Sequence, residues 1–281
     1  MAISHMTRSD LRAQGLSGRA ITAAVRRGDI IRARRDRYLP HDAPDEIVRA
    51  VRVGGRLTCL SLLASLGIFV ERNSRLHVHV PRSASRMRSP HDRRRPLESR
   101  LTRGVRLHWL APSVDVGAAT CVDIVDALAH AVLCQPPRAA IATLDSALNK
   151  GLVGMPQIGE IFALLPSKYK ALRPLIDEDA QSGPETLMRL LLRGLGCRVE
   201  LQVFFEGVGH VDLVVDGWLV IECDSREFHG GWEAQEKDRR RDLMLASLGY
   251  TTIRPTAAMI IREPELVLSA VRGLLAARVV E

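Results

Sequence analysis

The chain has 281 residues, of which 46% are hydrophobic, enough for two or three domains with proper cores. No apolar run approaches the length needed for a membrane-spanning helix, and the N-terminus lacks a signal-peptide pattern, so no membrane partner is expected. The formal net charge of +8 points to a polyanionic partner. The five cysteines, Cys59, Cys121, Cys134, Cys197 and Cys223, are odd in number and without a close pair. They give neither a disulfide framework nor a zinc spacing, and suit reduced thiols in a cytoplasmic protein.

The leader MAISHM, with a second methionine at Met6, is left out of the fold argument. Residues 7–42 read as a winged helix. Thr7 or Ser9 caps a first helix running to Gln14. Ser17 caps a second, Gly18 to Arg27, closed by Gly28. Ile30 to Arg35 and Tyr38-Leu39 form a basic hairpin turning at Asp36-Arg37. In DNA-binding winged helices the second helix enters the major groove. Arg19, Arg26, Arg27, Arg32, Arg34 and Arg35 are then placed for phosphates or base edges. The competing reading is a winged helix used for protein contact or packing.

Residues 43–174 form a middle connecting region. Helices are expected over 44–53, 57–66, 121–133, 137–148 and 155–165, and strands over 76–80 and 105–109. Between the strands, segment 82–106 carries nine arginines, among them Arg86, Arg88, Arg93, Arg94 and Arg95, against Asp92 and Glu98. That is a nucleic-acid patch or a solvated, mobile loop. His77 and His79 share one strand face with no third ligand in sequence reach, so a half-exposed face explains them. Residues 166–174 read as a linker.

Residues 175–281 carry the clearest pattern: helix 184–195, strand 198–204, hairpin 210–224, helix 232–248, strand 250–254, helix 263–277. The whole chain is therefore expected to be α/β (α+β), ending in a mixed sheet flanked by helices. Within the hairpin, Asp212, Glu222 and Asp224 interrupt apolar strands, where carboxylates are costly without a partner. A two-residue turn at Asp216-Gly217 puts Asp212 and Glu222 on opposite faces. A three-residue turn, Asp216-Gly217-Trp218, sets Asp212 opposite Glu222, with Asp224 following on that face. The same register gathers Val211, Leu213, Val215, Leu219, Ile221 and Cys223 on the other face, so the odd-length turn is predicted. Crowded carboxylates repel one another, and a cation held by them relieves this. Magnesium or manganese also activates water at phosphorus.

The segments Ser182-Gly183-Pro184-Glu185, Val211-Asp212, Ile221-Glu222-Cys223-Asp224, Phe228-His229 and Lys237 to Asp242 resemble the restriction-endonuclease-like, PD-(D/E)xK superfamily. More closely they are similar to its very-short-patch-repair-like branch, which includes domain of unknown function 559. Gly249-Tyr250 and Arg254 fit the same group. The N-terminal part resembles, over a shorter stretch, the winged helix of abortive-infection-type antitoxins. The resemblance implies Mg²⁺ (or Mn²⁺) held by Asp212, Glu222 and Glu185. It implies catalytic roles for these three, for Asp224 in the usual lysine position, and for His229 in proton transfer. Arg241 and Asp242 match a supporting cluster on the following helix. The chain departs from the pattern in having no lysine at 224, though Lys237 lies on the next helix, and Ser225 in place of a glycine. Cysteines and histidines for the structural zinc of true very-short-patch enzymes are not evident.

Several of these residues have structural readings. Ser182 and Glu185 fit a capping box, Asp238 and Asp242 fit surface ion pairs, and His229 fits a strand end. Two functions follow as expectations. The first is a metal-dependent endonuclease acting on DNA, expected double-stranded, in repair, restriction or phage defence. The second is a DNA-binding regulator or antitoxin with an inactive nuclease-like domain.

Overall fold

Helix capping fixes the start of the chain. In the computed structural model, which describes residues 3–98, 104–109, 113, 117–224 and 232–279, Thr7 and Asp10 form a reciprocal capping box on α1 (Arg8–Ala13). Ser17 caps α2 (Gly18–Arg27), which ends at Gly28 with φ of 86°. Strands β1 (Ile30–Arg34) and β2 (Arg37–Pro40) pair antiparallel with Arg34 opposite Arg37. The turn is thus Arg35-Asp36, one residue earlier than expected, because Asp36 takes the positive φ (57°) and its carboxylate accepts the Arg8 N–H at 2.7 Å. Leu11, Ile21 and Tyr38 form the core, and Met6 packs on it. The leader is therefore part of the fold: Met6 and Tyr38 exchange backbone bonds of 2.9 Å, and Ile3 and His5 pair with Thr120 and Ala118.

Two compact units divide the chain, Met1–Gln135 with Val153–Lys170, and Pro136–Leu152 with Ala171–Glu281. In the first, α3 (Asp45–Val53) leads into β3 (Arg56–Leu57), α4 (Cys59–Ser65), β4 (Leu76–His79) and β5 (Val105–His108). Leu57, expected at the start of a helix, instead pairs with Val78, as Arg56 does with His79, and α4 starts at Cys59. Strand β4 is central, antiparallel to β3 and parallel to β5. All four of its residues are buried, which overturns the half-exposed face expected for His77 and His79. Helices α5 (Ile124–Cys134), α6 (Pro137–Asn149) and α7 (Met155–Ala163) follow, α5 packing with α7.

Helix α6 belongs to the second unit, not to a connecting module. It packs on α8 (Gly183–Gly194), and Asp145 meets the fully buried Arg189 at 2.8 Å. The segment 166–174, expected as a linker, is largely a 3-10 helix, Ser167–Leu175. The carbonyl of Leu175 accepts from Arg189 at 2.9 Å, which ties this segment down.

Strands β6 (Val199–Phe205), β7 (Gly209–Val215) and β8 (Leu219–Ile221), helix α9 (Trp232–Ser247), strand β9 (Thr251–Ile253) and helices α10 (Ala257–Arg262) and α11 (Pro264–Val279) complete the unit. Sheet order is β6-β7-β8-β9, with β9 parallel to β8 and the other pairs antiparallel. The sheet is mixed, with helices packed against it, as the apolar patterns require. Helix α10 is additional to the expected elements; Thr256 caps it by accepting the Met259 N–H.

Candidate functional site

Val215 pairs with Leu219 and Leu213 with Ile221, so Asp216, Gly217 and Trp218 form a three-residue turn. Asp216 and Gly217 both take positive φ, at 48° and 78°. This is the odd-length register, with Asp212 and Glu222 side by side. The Glu222 carboxylate accepts the Asp212 N–H at 3.4 Å, and Asp212 Oδ2 accepts the Cys223 N–H at 2.7 Å. Val211, Leu213, Val215, Leu219, Ile221 and Cys223 are all buried. Val214 and Val220, on the acids' own face, are buried as well.

Glu185 enters from the first turn of α8 and is 5% exposed. It is not a reciprocal cap: Ser182 Oγ accepts the Glu185 N–H at 3.3 Å, but Glu185 Oε2 accepts from Gln181 N and from Gln202 Nε2, each at 3.0 Å. Gln202 lies opposite Asp212 in β6 and holds φ of 51°. A left-handed residue inside a strand is strained, typically by about 1–3 kcal/mol, and such strain gathers at functional sites. The sequence reading missed Gln202, since its role rests on a backbone conformation that no residue pattern announces. Burial pushes the Asp212 carboxyl up to about 6, and the Glu185 and Glu222 carboxylates add to this, against hydrogen bonds from Cys223 N–H and the Gln202 amide.

Glu222 is 8% exposed and neutralised from the other side. Arg241 on α9 reaches its Oε1 at 2.7 Å, and Arg254, after β9, lies 3.7 Å from the same oxygen. Arg241 also donates to the carbonyls of Val208 and His210, at 3.1 and 2.7 Å. Asp242 receives Arg254 through two nitrogens, at 3.1 and 2.7 Å, and Asp238 lies 3.9 Å from it. Arg241 and Asp242 therefore support the site directly and by way of Arg254, rather than forming surface pairs. Lys237 is exposed one turn earlier. Asp224 is half-buried; its N–H donates to the Pro255 carbonyl and its own carbonyl accepts from Ala257 N–H. His229 and Ser225 lie outside the described residues.

The donor set at Asp212 suits a hard divalent cation. Oxygen ligands, a crowded carboxylate that resists ionising and a neighbouring Glu185 are what such an ion relieves. Glu222 is different, because two guanidinium groups already balance its charge. Asp212 and Glu185 are thus the stronger candidates to hold Mg²⁺, with Glu222 setting the backbone and electrostatic frame.

The basic residues separate into two kinds. Arg19, Arg26 and Arg27 line an open groove of about 930 Å³ on α2, although Arg27 also pairs with Asp29 at 2.6 Å. Arg35, Arg37, Arg56 and Arg82 border a cleft of about 890 Å³ in the same unit. Arg35, in the turn of the hairpin, and Arg32 on β1 lie with Arg8 along a smaller cleft. Arg34 borders the cleft of about 890 Å³ but is tied down, donating to the carbonyls of Val53 and Arg86 at 3.3 and 3.4 Å. It holds the β1-β2 hairpin onto α3. The segment after Arg82 is folded where described: Ser89 N–H donates to Arg95 O, Leu97 N–H to Met87 O, and Arg52 to Pro90 O. Arg88 donates to Arg94 O and Arg95 lies 3.6 Å from Asp92, while Arg86, Arg93, Arg94 and Arg95 stay exposed. Arg100 and Arg103 lie outside the described residues.

A second constellation lies in the first unit. Among the described residues, the donor atoms of Cys59, His77, His108 and Cys134 lie within 4.8 Å of one another, and the acidic residues form no such group. Hydrogen bonding from Cys59 holds the Cys134 thiol well below its usual range, helped by His108 and His77, while burial pushes Cys59 up. The four residues come from four elements, so no short spacing in the sequence advertises the group. No family model matches the chain, and no curated protein is significantly similar to it.

Proposed function

We propose that the protein is a metal-dependent endonuclease that nicks or cleaves double-stranded DNA, in DNA repair, restriction or phage defence. The observation that carries this reading is Asp212: a half-buried carboxylate beside Glu222 in the sheet, pushed up to about 6 by burial and by the Glu185 and Glu222 charges. A purely structural acid in a strand is ordinarily neutralised, as Glu222 is by Arg241 and Arg254. Bound Mg²⁺ or Mn²⁺ would supply an activated water and charge stabilisation at the leaving oxygen. Asp212 and Glu185 would hold the ion. Gln202 orients Glu185 through its amide, and Arg241 and Arg254 hold the Glu222 carboxylate in place. The exposed arginines of α2 and of the hairpin would neutralise backbone phosphates, which makes binding steeply salt-dependent.

The neutralised Glu222 and the missing lysine at 224 favour a second reading, a DNA-binding regulator or antitoxin with an inactive nuclease-like unit. Supercoiled plasmid distinguishes the two. It is incubated with wild-type protein in metal-free buffer, Mg²⁺ or Mn²⁺, beside Asp212→Ala, Glu222→Ala and Glu185→Gln. Metal-dependent nicking lost in Asp212→Ala is the expected result. Intact DNA binding with no nicking under either ion favours the regulator.

A further inference from the structure

We propose that Cys59, His77, His108 and Cys134 form a closed structural zinc site in the first unit, separate from the carboxylate site and independent of the nuclease reading. The donor set is two thiols and two imidazoles, and soft sulfur with imidazole at tetrahedral spacing is the chemistry of structural zinc. A tetrahedral ion with ordinary bond lengths sets its ligand atoms about 3.3–3.8 Å apart. His77 Nδ1 and His108 Nε2 lie 3.0 Å apart, and Cys134 Sγ is 3.9 Å from the same His108 nitrogen. All four donor atoms fall within 4.8 Å of one another, so small side-chain adjustments close the shell.

The frame around these donors is rigid. Cys59 opens α4, His77 lies in the buried central strand β4, His108 ends β5 and Cys134 ends α5. Cys59 holds φ of 51°, a conformation that disfavours a side chain and that points its thiol inward at no exposure. His77 N–H donates to Ser61 Oγ at 3.0 Å, and Thr58 N–H to the His77 carbonyl at 3.2 Å. The His130 ring packs on His108 at 4.6 Å and is tied through Nδ1 to Thr58 Oγ1 at 2.7 Å. Its buried Nε2 has no hydrogen-bond partner, and this third imidazole backs the cluster. With four protein donors, three of them buried, no position is left for water or substrate. The site would clamp α4, β4, β5 and α5 together.

The test starts from full-length protein purified under reducing conditions without chelator or added metal. Elemental analysis is expected to find about one zinc per chain, falling to near zero in Cys59→Ser and Cys134→Ser and unchanged in Cys121→Ser and Asp212→Asn. Should the serine variants fail to fold, wild-type protein decides alone: replacement of zinc by Co²⁺ is expected to give intense visible bands of tetrahedral cobalt and a thiolate charge-transfer band. Zinc-free wild type is expected to melt earlier and to recover on adding zinc alone. Folded wild type that takes up no zinc or cobalt and melts identically with and without zinc would overturn the proposal. So would zinc that persists in folded Cys59→Ser and Cys134→Ser.

Discussion

Replacing Asp212 by Asn tests whether that carboxylate is under electrostatic strain. The amide keeps an oxygen for the Cys223 N–H but removes the charge that Glu185 and Glu222 oppose. The Asp212 carboxyl sits at about 6 in the fold, against an ordinary value of 3.8. A folded value raised above the unfolded one stabilises at low pH. That contribution is fully present below about pH 4 and is lost as pH rises through about 6. Between about pH 4.5 and pH 8 the wild type should lose about 2 kcal/mol through this group alone, at about 1.4 kcal/mol per pKa unit. The Asn variant lacks the titration, so its stability relative to wild type should rise by about 2 kcal/mol across that window, or about 4–8 °C in Tm. Urea or thermal unfolding of both proteins in metal-free buffer at the two pH values measures this. Mg²⁺ at the higher pH should raise the wild-type Tm and leave the variant unmoved. A difference between variant and wild type that is the same at both pH values would refute the strained carboxylate, and with it the main support for a cation there.

Three further outcomes follow from the geometry. Asp145→Ala leaves the fully buried Arg189 without its closest partner, and urea unfolding should show a loss of about 3–5 kcal/mol. Asp145 is itself pushed up to about 6 by burial, so the proton-linked part of its stability is present at low pH and is lost as pH rises through that value. Arg241→Met should destabilise the second unit by about 1–3 kcal/mol, because Glu222 stays buried with only the longer Arg254 pair; Arg241→Lys should recover part of it. Arg35→Ala should weaken DNA binding and reduce the salt slope by about one, whereas Arg34→Ala, which loses bonds to Val53 and Arg86 carbonyls, should lower Tm. Filter binding across a salt series and melting curves separate the two.

Where periodicity and capping chemistry are local, the sequence sufficed. Ser17 and Gly28 bracket α2 at the expected residues, and alternating apolar residues in 211–223 selected a three-residue turn over a two-residue one. A one-residue slip there would move Asp212 to the face of Val211 and Leu213, which burial of that face disfavours. Other features rest on partners distant in the chain. Arg34 reads as one more basic hairpin residue until Val53 and Arg86 approach it. Asp242 reads as a surface acid until Arg254 folds back to it. Gln202 carries no signal, because its importance lies in a positive φ that the sheet imposes opposite Asp212. Cys59, His77, His108 and Cys134 are the clearest case, since each looks isolated in the sequence. Short-range order is written in the residue pattern, because capping and alternate burial act over a few positions. The meeting of four donors from two helices and two strands is decided by packing, which alone selects which distant side chains share a space.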